Sequence, residues 1–276
     1  MIEKVKYFEV TTPPRLCNCS LCKAPAVSHC RMGLSNLKVC YNKFPYDKGS
    51  LLLISEDFRW QSEVIQDDLA NLLYFQSLCN KDSEGKRLYL FYNQDGTGST
   101  IEHFHIQGII IDDTPLPIEV APTKELMRLG EITIAKILEY PIYVLSIYGN
   151  ERANPDEIAR VAFGIVQIVE KSLDTPYNLS ISHKTIRVIP RRGRTGYEVP
   201  EFLKTLSGDP DYAARIAGLE VSGMFIVSHK GLYSRIRALI KSGQPNDFFW
   251  KALAELGYTE EQQKKLEEQL HTLRID

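Results

Sequence analysis

The stretch that decides the fold runs from Asn93 to Gln107 and reads NQDGTGSTIEHFHIQ. Its second part alternates polar and apolar residues, which predicts a β-strand over residues 102–111 with His103, His105 and Gln107 on one face. Two imidazoles and a carboxamide in a row would be costly to bury without partners. The strand is therefore expected to line a cleft or to hold a metal.

The five residues before this strand, Gly96–Thr100, read GTGST and combine small side chains with two glycines. The backbone N–H groups of such a loop can approach phosphate oxygens closely. A neutral imidazole is a good nucleophile near pH 7 when a hydrogen bond at its other nitrogen fixes the reactive lone pair. The loop and the histidines together indicate substitution at phosphorus through a nucleotidyl-histidine. The loop donors and Gln107 would stabilise the charge on the phosphoryl oxygens.

The composition of the whole chain excludes several classes of protein. With 276 residues, 43% of them hydrophobic and 25% charged, the chain can bury a sizeable core. A net charge of −2 argues against general nucleic-acid or anionic-membrane binding, since both favour a basic surface. No apolar stretch reaches the ~18 residues of a membrane helix, and the start lacks the apolar core of a signal peptide. We therefore predict a cytoplasmic protein with no membrane or nucleic-acid partner.

Hydrophobic periodicity predicts an α+β fold, in which helices pack on a mainly antiparallel sheet. The first half reads as strand, strand, helix, strand, loop and strand. The predicted elements are strands 37–44, 50–55, 87–93 and 102–111, a helix from Ser62 to Cys79, and then a strand 141–148, a helix 156–172, a hairpin 178–190, a strand 219–228 and a helical end over 246–273.

The two halves of the chain share an order of helix, strand, turn and strand. The residue pair Tyr92-Asn93 occurs again as Tyr177-Asn178, which indicates a degenerate internal duplication. We accordingly divide the chain into a catalytic half with the cysteine cluster (1–120), a degenerate second half (121–245) and a C-terminal helical segment (246–276).

The stretch from Asn93 to Gln107 resembles the active-site signature of the histidine-triad superfamily. It is closest to the branch with H-x-H-x-Q, which holds galactose-1-phosphate uridylyltransferase, diadenosine tetraphosphate phosphorylase and the GDP-hexose phosphorylases. The resemblance implies antiparallel HIT-like sheets with packed helices and makes His105 the nucleophile. It also implies roles at the reacting phosphate for His103, Gln107, Asn93, Gly98, Ser99 and Thr100, although Glu102 replaces the family's proline or small residue.

Two further segments carry the resemblance more weakly. Residues 40–46 and 49–55 resemble the nucleoside-binding strands, which implies that Asn42, Lys43 and Phe44 contact base and ribose. Residues 142–228 resemble the second half of the phosphorylases. The implied enzyme transfers a nucleotidyl group from a dinucleoside polyphosphate or nucleotide-sugar to phosphate or a sugar phosphate, and a homodimer is compatible with this branch.

Four of the six cysteines lie between residues 17 and 30, a density typical of metal ligands in a chain without an export signal. The resemblance implies a structural zinc held by Cys19, Cys22 and His103, while the chemistry itself needs no cofactor. Phe58 stands where the family often supplies a further histidine. A fourth ligand would then come from Cys17, His29 or Cys30, and a thiol-rich loop without metal stays open.

Three other functions compete with the transferase. A nucleotide hydrolase of the histidine-triad type would use the same histidine with water as acceptor. A cupin-like metal oxygenase also uses His-x-His, but it would want a glutamate about four residues further on, where Ile109 and Ile110 stand. A nucleotide-binding protein that has lost its chemistry would bind nucleotide without forming an adduct.

Overall fold

The computed structural model describes residues 19–32, 35–45, 49–80, 85–192, 216–227, 230–242 and 247–274. Over these ranges the strands form a single ten-stranded sheet, in which every neighbouring pair is antiparallel. Helices pack on both faces of the sheet, so the predicted α+β class is confirmed. None of the helices in these ranges is long and apolar enough to cross a membrane.

The strands are, in chain order, β1 Ser28–Met32, β2 Ser35–Tyr41, β3 Leu51–Ser55, β4 Lys86–Asn93, β5 His105–Asp112, β6 Thr123–Leu129, β7 Ile132–Ile137, β8 Leu145–Gly149, β9 Tyr177–Ser182 and β10 Thr185–Pro190. Across the sheet their order is β1-β2-β3-β5-β4-β9-β10-β8-β7-β6. His183 and Lys184 join β9 to β10 with φ values of 47° and 57°. Positive φ at both turn residues matches the right-handed twist of the flanking strands, so His183 serves the hairpin.

The helices are α1 Gln66–Asn80, α2 Pro117–Val120, α3 Pro155–Gln167, α4 Lys230–Lys241, α5 Asp247–Leu256 and α6 Glu260–Leu270. The first face of the sheet carries α1, α3 and α6 over the main core, to which Leu90 and Ile181 belong. A second core on the opposite face joins α4, α5 and residues 216–227 to Tyr89, Phe91 and Ile109.

The two halves of the sheet repeat one order of elements. Strands β2 and β3, α1, then β4 and β5 form the first half, and β7 and β8, α3, then β9 and β10 form the second. At the centre β4 pairs with β9, with Leu90 opposite Ile181 and Asn93 opposite Asn178. The order fits the expected duplication. The boundaries at residues 120 and 245 stay a prediction, because one sheet runs through both halves.

Several element predictions are wrong in detail. The strand predicted over 219–228 is instead a short 3-10 turn, Glu220–Ser222, followed by irregular chain to residue 227. The hairpin of β6 and β7 falls in a stretch for which no element was predicted. The predicted C-terminal helix breaks at Gly257, where a Cβ would lie 3.1 Å from Ile142, and Thr259 then caps α6.

Candidate active site

Strand alternation sets the direction of each side chain in the histidine segment. Phe104 and Ile106 are buried in the main core beneath α1 and α3. His105 and Gln107 therefore point to the opposite face of the sheet. His103 lies just before β5 and forms an isolated bridge with Trp60, so the predicted strand begins three residues late.

His105 has the hydrogen bonding of a neutral nucleophile. Its side chain is buried, with 6% of the residue exposed, and Nδ1 lies 2.8 Å from the carbonyl oxygen of His103. Because a carbonyl only accepts, Nδ1 carries the proton and Nε2 carries the lone pair. Burial lowers the pKa of His105 below its usual range, which favours the neutral imidazole.

His103 turns its ring toward two cysteines rather than toward the position of a substrate. Its Nδ1 lies 3.3 Å from Sγ of Cys19 and 3.2 Å from Sγ of Cys22, and the two sulfurs are 3.4 Å apart. The Nε2–H donates to the carbonyl of Ser55 at 2.9 Å, which leaves the Nδ1 lone pair facing the sulfurs. Two sulfurs and an imidazole nitrogen oriented by a backbone carbonyl fit a zinc ion.

Two of the expected fourth ligands are engaged elsewhere. His29 pairs its Nδ1 with Glu56, and Cys30 donates its thiol to Oδ1 of Asn71 at 3.3 Å. Among the described residues the group that could hold a metal therefore comprises Cys19, Cys22 and His103 alone. Cys17 lies outside the described residues.

The glycine-rich loop has the backbone that its glycines predict. Gly96 and Gly98 have φ values of 82° and 114°, in the region that L-residues rarely adopt. A Cβ on Gly98 would lie 2.7 Å from Cβ of Ala217, so the loop packs closely against the second half. Thr97 fixes the loop by donating its hydroxyl to the carbonyl of Gln94 at 2.8 Å.

The other predicted phosphate contacts differ in accessibility. Ser99 is buried and donates its hydroxyl to the carbonyl of Ile101 at 3.0 Å, whereas Thr100 is exposed. The carboxamide oxygen of Gln107 is buried and has no hydrogen-bond partner among the described residues. A buried acceptor without a partner is costly, so Oε1 of Gln107 is suited to a ligand group that donates a hydrogen bond.

Asn93 connects the two halves of the sheet. Its Oδ1 accepts the Nδ2–H of Asn178 at 2.8 Å and the backbone N–H of Gly218 at 2.6 Å. Asn178 in turn accepts from Nη1 of Arg191 at 2.8 Å. The Asn93 oxygen is thus occupied by protein donors, which differs from the direct phosphate contact implied by the resemblance.

The expected nucleoside-binding residues lie at an exposed edge after β2. Asn42 accepts the backbone N–H of Phe44 at 3.0 Å, which makes a local turn. Lys43 places its Nζ 5.6 Å from the centre of the Phe44 ring, and Phe44 is 77% exposed. An exposed aromatic face beside a lysine can stack on a base, although the structure does not bring these residues into contact with His105.

Sequence reasoning missed Gln61, whose buried side chain lies directly against the backbone of His105. A glutamine in a turn after Trp60 has no recognisable pattern, because its role depends on strands that are distant in sequence. The same applies to the buried Arg191, whose Nη1 donates to Oδ1 of Asn178 at 2.8 Å and to the carbonyl of Ile216 at 3.1 Å.

The arrangement of the two imidazoles bears on the oxygenase alternative. A cupin-like centre would hold one metal between both histidines of the pair. In the described residues His103 faces the cysteine pair, and the possible metal-binding group excludes His105. The geometry therefore separates the group that could hold a metal, at His103, from the imidazole of His105.

Residues 117–273 match the family model described as GDPGP1-like, C-terminal domain. The yeast Ap4A phosphorylase Apa2 in complex with Ap4A is similar, with a TM-score of 0.63 and 17% identity over 80% of this chain and 73% of that chain. The same enzyme in complex with AMP gives a TM-score of 0.61 and 18% identity over 80% and 73%. Comparison with curated proteins gives no match. The likeness to the yeast structures confirms the HIT-like fold.

Proposed function

The chain belongs to the GDPGP1-like family, and on that premise we propose that it is a nucleotidyltransferase in which His105 carries the nucleotidyl group. The observation that carries this proposal is the hydrogen bond from Nδ1 of His105 to the carbonyl of His103 at 2.8 Å. It fixes the proton on Nδ1 and leaves the lone pair on Nε2, while burial lowers the pKa of the ring and keeps it neutral. A neutral, oriented imidazole needs no general base to attack phosphorus.

The reaction proceeds in two displacements. Nε2 of His105 attacks the α-phosphorus of the nucleotide donor, and the bond from that phosphorus to the bridging oxygen of the leaving phosphate breaks. The imidazolium keeps its Nδ1 proton, which the carbonyl of His103 stabilises. An oxygen of inorganic phosphate then attacks the α-phosphorus, the phosphorus–nitrogen bond breaks, and neutral His105 is restored with release of a nucleoside diphosphate.

The groups around His105 support charge on the phosphoryl oxygens. Residues 96–100 are proposed to donate backbone amides to these oxygens, and the positive φ values of Gly96 and Gly98 set the direction of the loop backbone. Gln107 lies two residues beyond His105 on the same face, and its Nε2–H₂ would donate to a phosphoryl oxygen. Ser99 and Thr100 complete the proposed phosphate contacts, whereas Asn93 supports the loop.

The donor is proposed to be a dinucleoside polyphosphate or a nucleotide-sugar. The yeast neighbour is an Ap4A phosphorylase and its structures hold Ap4A and AMP, which supports a nucleotide at this face and phosphate as acceptor. Asn42, Lys43 and Phe44 are proposed to contact base and ribose. Transfer to a sugar phosphate or to water would use the same intermediate.

Zinc fits the group formed by Cys19, Cys22 and His103. When bound, it would supply structural cross-linking of the N-terminal loop to the start of β5 rather than reaction chemistry. His103 places its carbonyl against His105, so the residues that hold zinc also keep the proton on Nδ1 of the nucleophile.

The test compares donors and acceptors in one assay. α-Phosphate-radiolabelled Ap4A, GDP-glucose, UDP-glucose and ADP-glucose are incubated with the protein, with and without inorganic phosphate. We expect one donor to give phosphate-dependent nucleoside diphosphate, and His105→Asn to abolish it while His183→Asn, in the hairpin turn, retains it. Turnover by His105→Asn at the wild-type rate would refute the proposal, and turnover without phosphate would assign hydrolysis.

A further inference from the structure

Strands β4 and β5 separate at the position of the nucleophile. Their pairing ends with Phe91 opposite Gln107, although the same register would place Asn93 opposite His105. Asn93 pairs only on the opposite edge of β4, with Asn178 of β9. On its other side His105 pairs with Ile54 of β3, so one edge of its backbone faces a gap between two diverging strands.

The side chain of Gln61 fills this gap. Its Oε1 accepts the backbone N–H of His105 at 2.8 Å, and its Nε2 donates to the carbonyls of His105 at 3.0 Å and Asn93 at 2.7 Å. Gln61 is only 2% exposed, so water does not replace these bonds. The carboxamide takes the place of the missing strand pairing for both backbone groups of His105.

We propose that Gln61 is a positioning residue for the nucleophile, a role that rests on the proposed function of His105. The carboxamide sets the backbone of His105 and thereby the place of its Nε2. A displacement of about 1 Å of a reacting atom can cost about a hundredfold in rate. The side chain touches neither substrate nor reacting atoms, so it acts through His105.

The chemistry of the gap requires a glutamine. The gap contains the N–H of His105 and the carbonyls of His105 and Asn93. A carboxamide satisfies all three, because its oxygen accepts and its nitrogen donates at the same end of the side chain. A glutamate offers only acceptors when ionised, and a methionine of similar length offers neither group to these partners. Either change leaves buried backbone groups of His105 without partners.

The backbone around Gln61 is itself fixed to the histidine segment. Its N–H donates to the carbonyl of Glu102 at 2.6 Å, and its carbonyl accepts the hydroxyl of Tyr92. Trp60 bridges to His103, whose carbonyl holds Nδ1 of the nucleophile. The main chain of Trp60 and the side chain of Gln61 therefore bind the two ends of the His103–His105 segment.

Gln76 provides a matched control. It is also 2% exposed, and its Nε2 donates to the carbonyls of Leu88 at 2.9 Å and Ile181 at 2.8 Å. It thus bridges β4 and β9 in the main core without contacting His105. Gln76→Met and Gln61→Met should both lower stability, but only Gln61→Met should change the chemistry of the folded protein.

The experiment measures the rate of adduct formation per folded molecule with α-phosphate-radiolabelled Ap4A and GDP-glucose, and the affinity for AMP and GMP by calorimetry. We expect adduct formation in Gln61→Met to slow roughly a hundredfold with affinity within about threefold. Nitrogen-15 NMR of the histidine rings should show loss of the fixed Nδ1–H form of His105, assigned with His105→Asn. If Gln61→Met does not fold, Gln61→Glu carries the test, because it keeps the acceptor for the His105 N–H.

Three outcomes distinguish the two claims. Slow adduct formation in Gln61→Met, together with a wild-type rate in Gln76→Met, supports the positioning role. If wild type carries the label on His105 but Gln61→Met forms the adduct no more slowly than Gln76→Met, the positioning role is overturned and His105 stays the nucleophile. A wild type that turns over either donor without ever carrying label on His105 overturns the proposed function and the positioning role together.

Discussion

Glu220 lies in the turn that packs on the glycine-rich loop, and Glu220→Gln tests how that turn is held. Its Oε2 accepts the backbone N–H of Ala217 at 3.0 Å, and Ala217 lies against Gly98. Burial raises the pKa of Glu220 from 4.5 to about 7, an effect that Arg191 and the turn's N–H groups partly oppose. A glutamine keeps the hydrogen-bond acceptor and removes the titration.

The raised pKa of Glu220 determines the sign and the size of its contribution to the free energy of unfolding at each pH. Below pH 4.5 the carboxyl is protonated in folded and unfolded chains, and Glu220 adds no pH dependence. Between pH 4.5 and about 7 the unfolded chain loses this proton while the folded chain keeps it, so stability falls as pH rises. The whole shift corresponds to roughly 3 kcal/mol, at about 1.4 kcal/mol per pKa unit.

Urea unfolding of wild type and Glu220→Gln at several pH values between about 4.5 and 8 measures this difference. We expect the variant to gain roughly 3 kcal/mol over wild type across that range. Glu151→Gln, at an exposed turn, should show no such gain. A difference between Glu220→Gln and wild type that stays constant with pH would refute the burial of an ionisable carboxyl at this turn.

The remaining predictions concern the metal, the loop and the base. Wild type should bind about one zinc per chain, and Cys22→Ser should lower both zinc content by elemental analysis and thermal stability; equal zinc in both proteins would exclude this ligand set. Gly98→Ala should destabilise by about 1–3 kcal/mol, because its Cβ meets Ala217 at a φ of 114°, and by more than Gly130→Ala, which has open space at a φ of 57° in the left-handed helical region. Phe44→Ala should change the free energy of unfolding in urea by no more than about 0.5 kcal/mol but raise the KM for the nucleotide donor roughly tenfold or more. An unchanged KM would place the base elsewhere.

The sequence predicted the parts of the site that depend on local pattern. Alternation over residues 102–107 put His105 and Gln107 on one face and Phe104 and Ile106 in the core, as the structure has them. The glycines of the loop were expected to let its backbone adopt a close approach, and Gly96 and Gly98 have the positive φ values that the lack of a Cβ permits. These features follow from strand geometry and from the lack of a Cβ.

Contacts between distant segments could not be read from the sequence. The roles of Gln61 and Asn93 arise only where β4 stops pairing with β5 while it still pairs with β9, a divergence that no local pattern encodes. The strand predicted over 219–228 failed for a related reason. Its apolar residues pack on the second face of the sheet as a turn and irregular chain rather than by strand pairing.

Peptide mapping by mass spectrometry tests whether His105 carries the nucleotidyl group. The protein is mixed with Ap4A or GDP-glucose without phosphate, quenched under alkaline conditions that preserve a phosphorus–nitrogen bond, and digested. We expect the added mass of one nucleoside monophosphate on the ring of His105, and we expect phosphate supplied before the quench to remove it. Turnover of the donor with an unmodified His105, or with the nucleotidyl group on another residue, would contradict it.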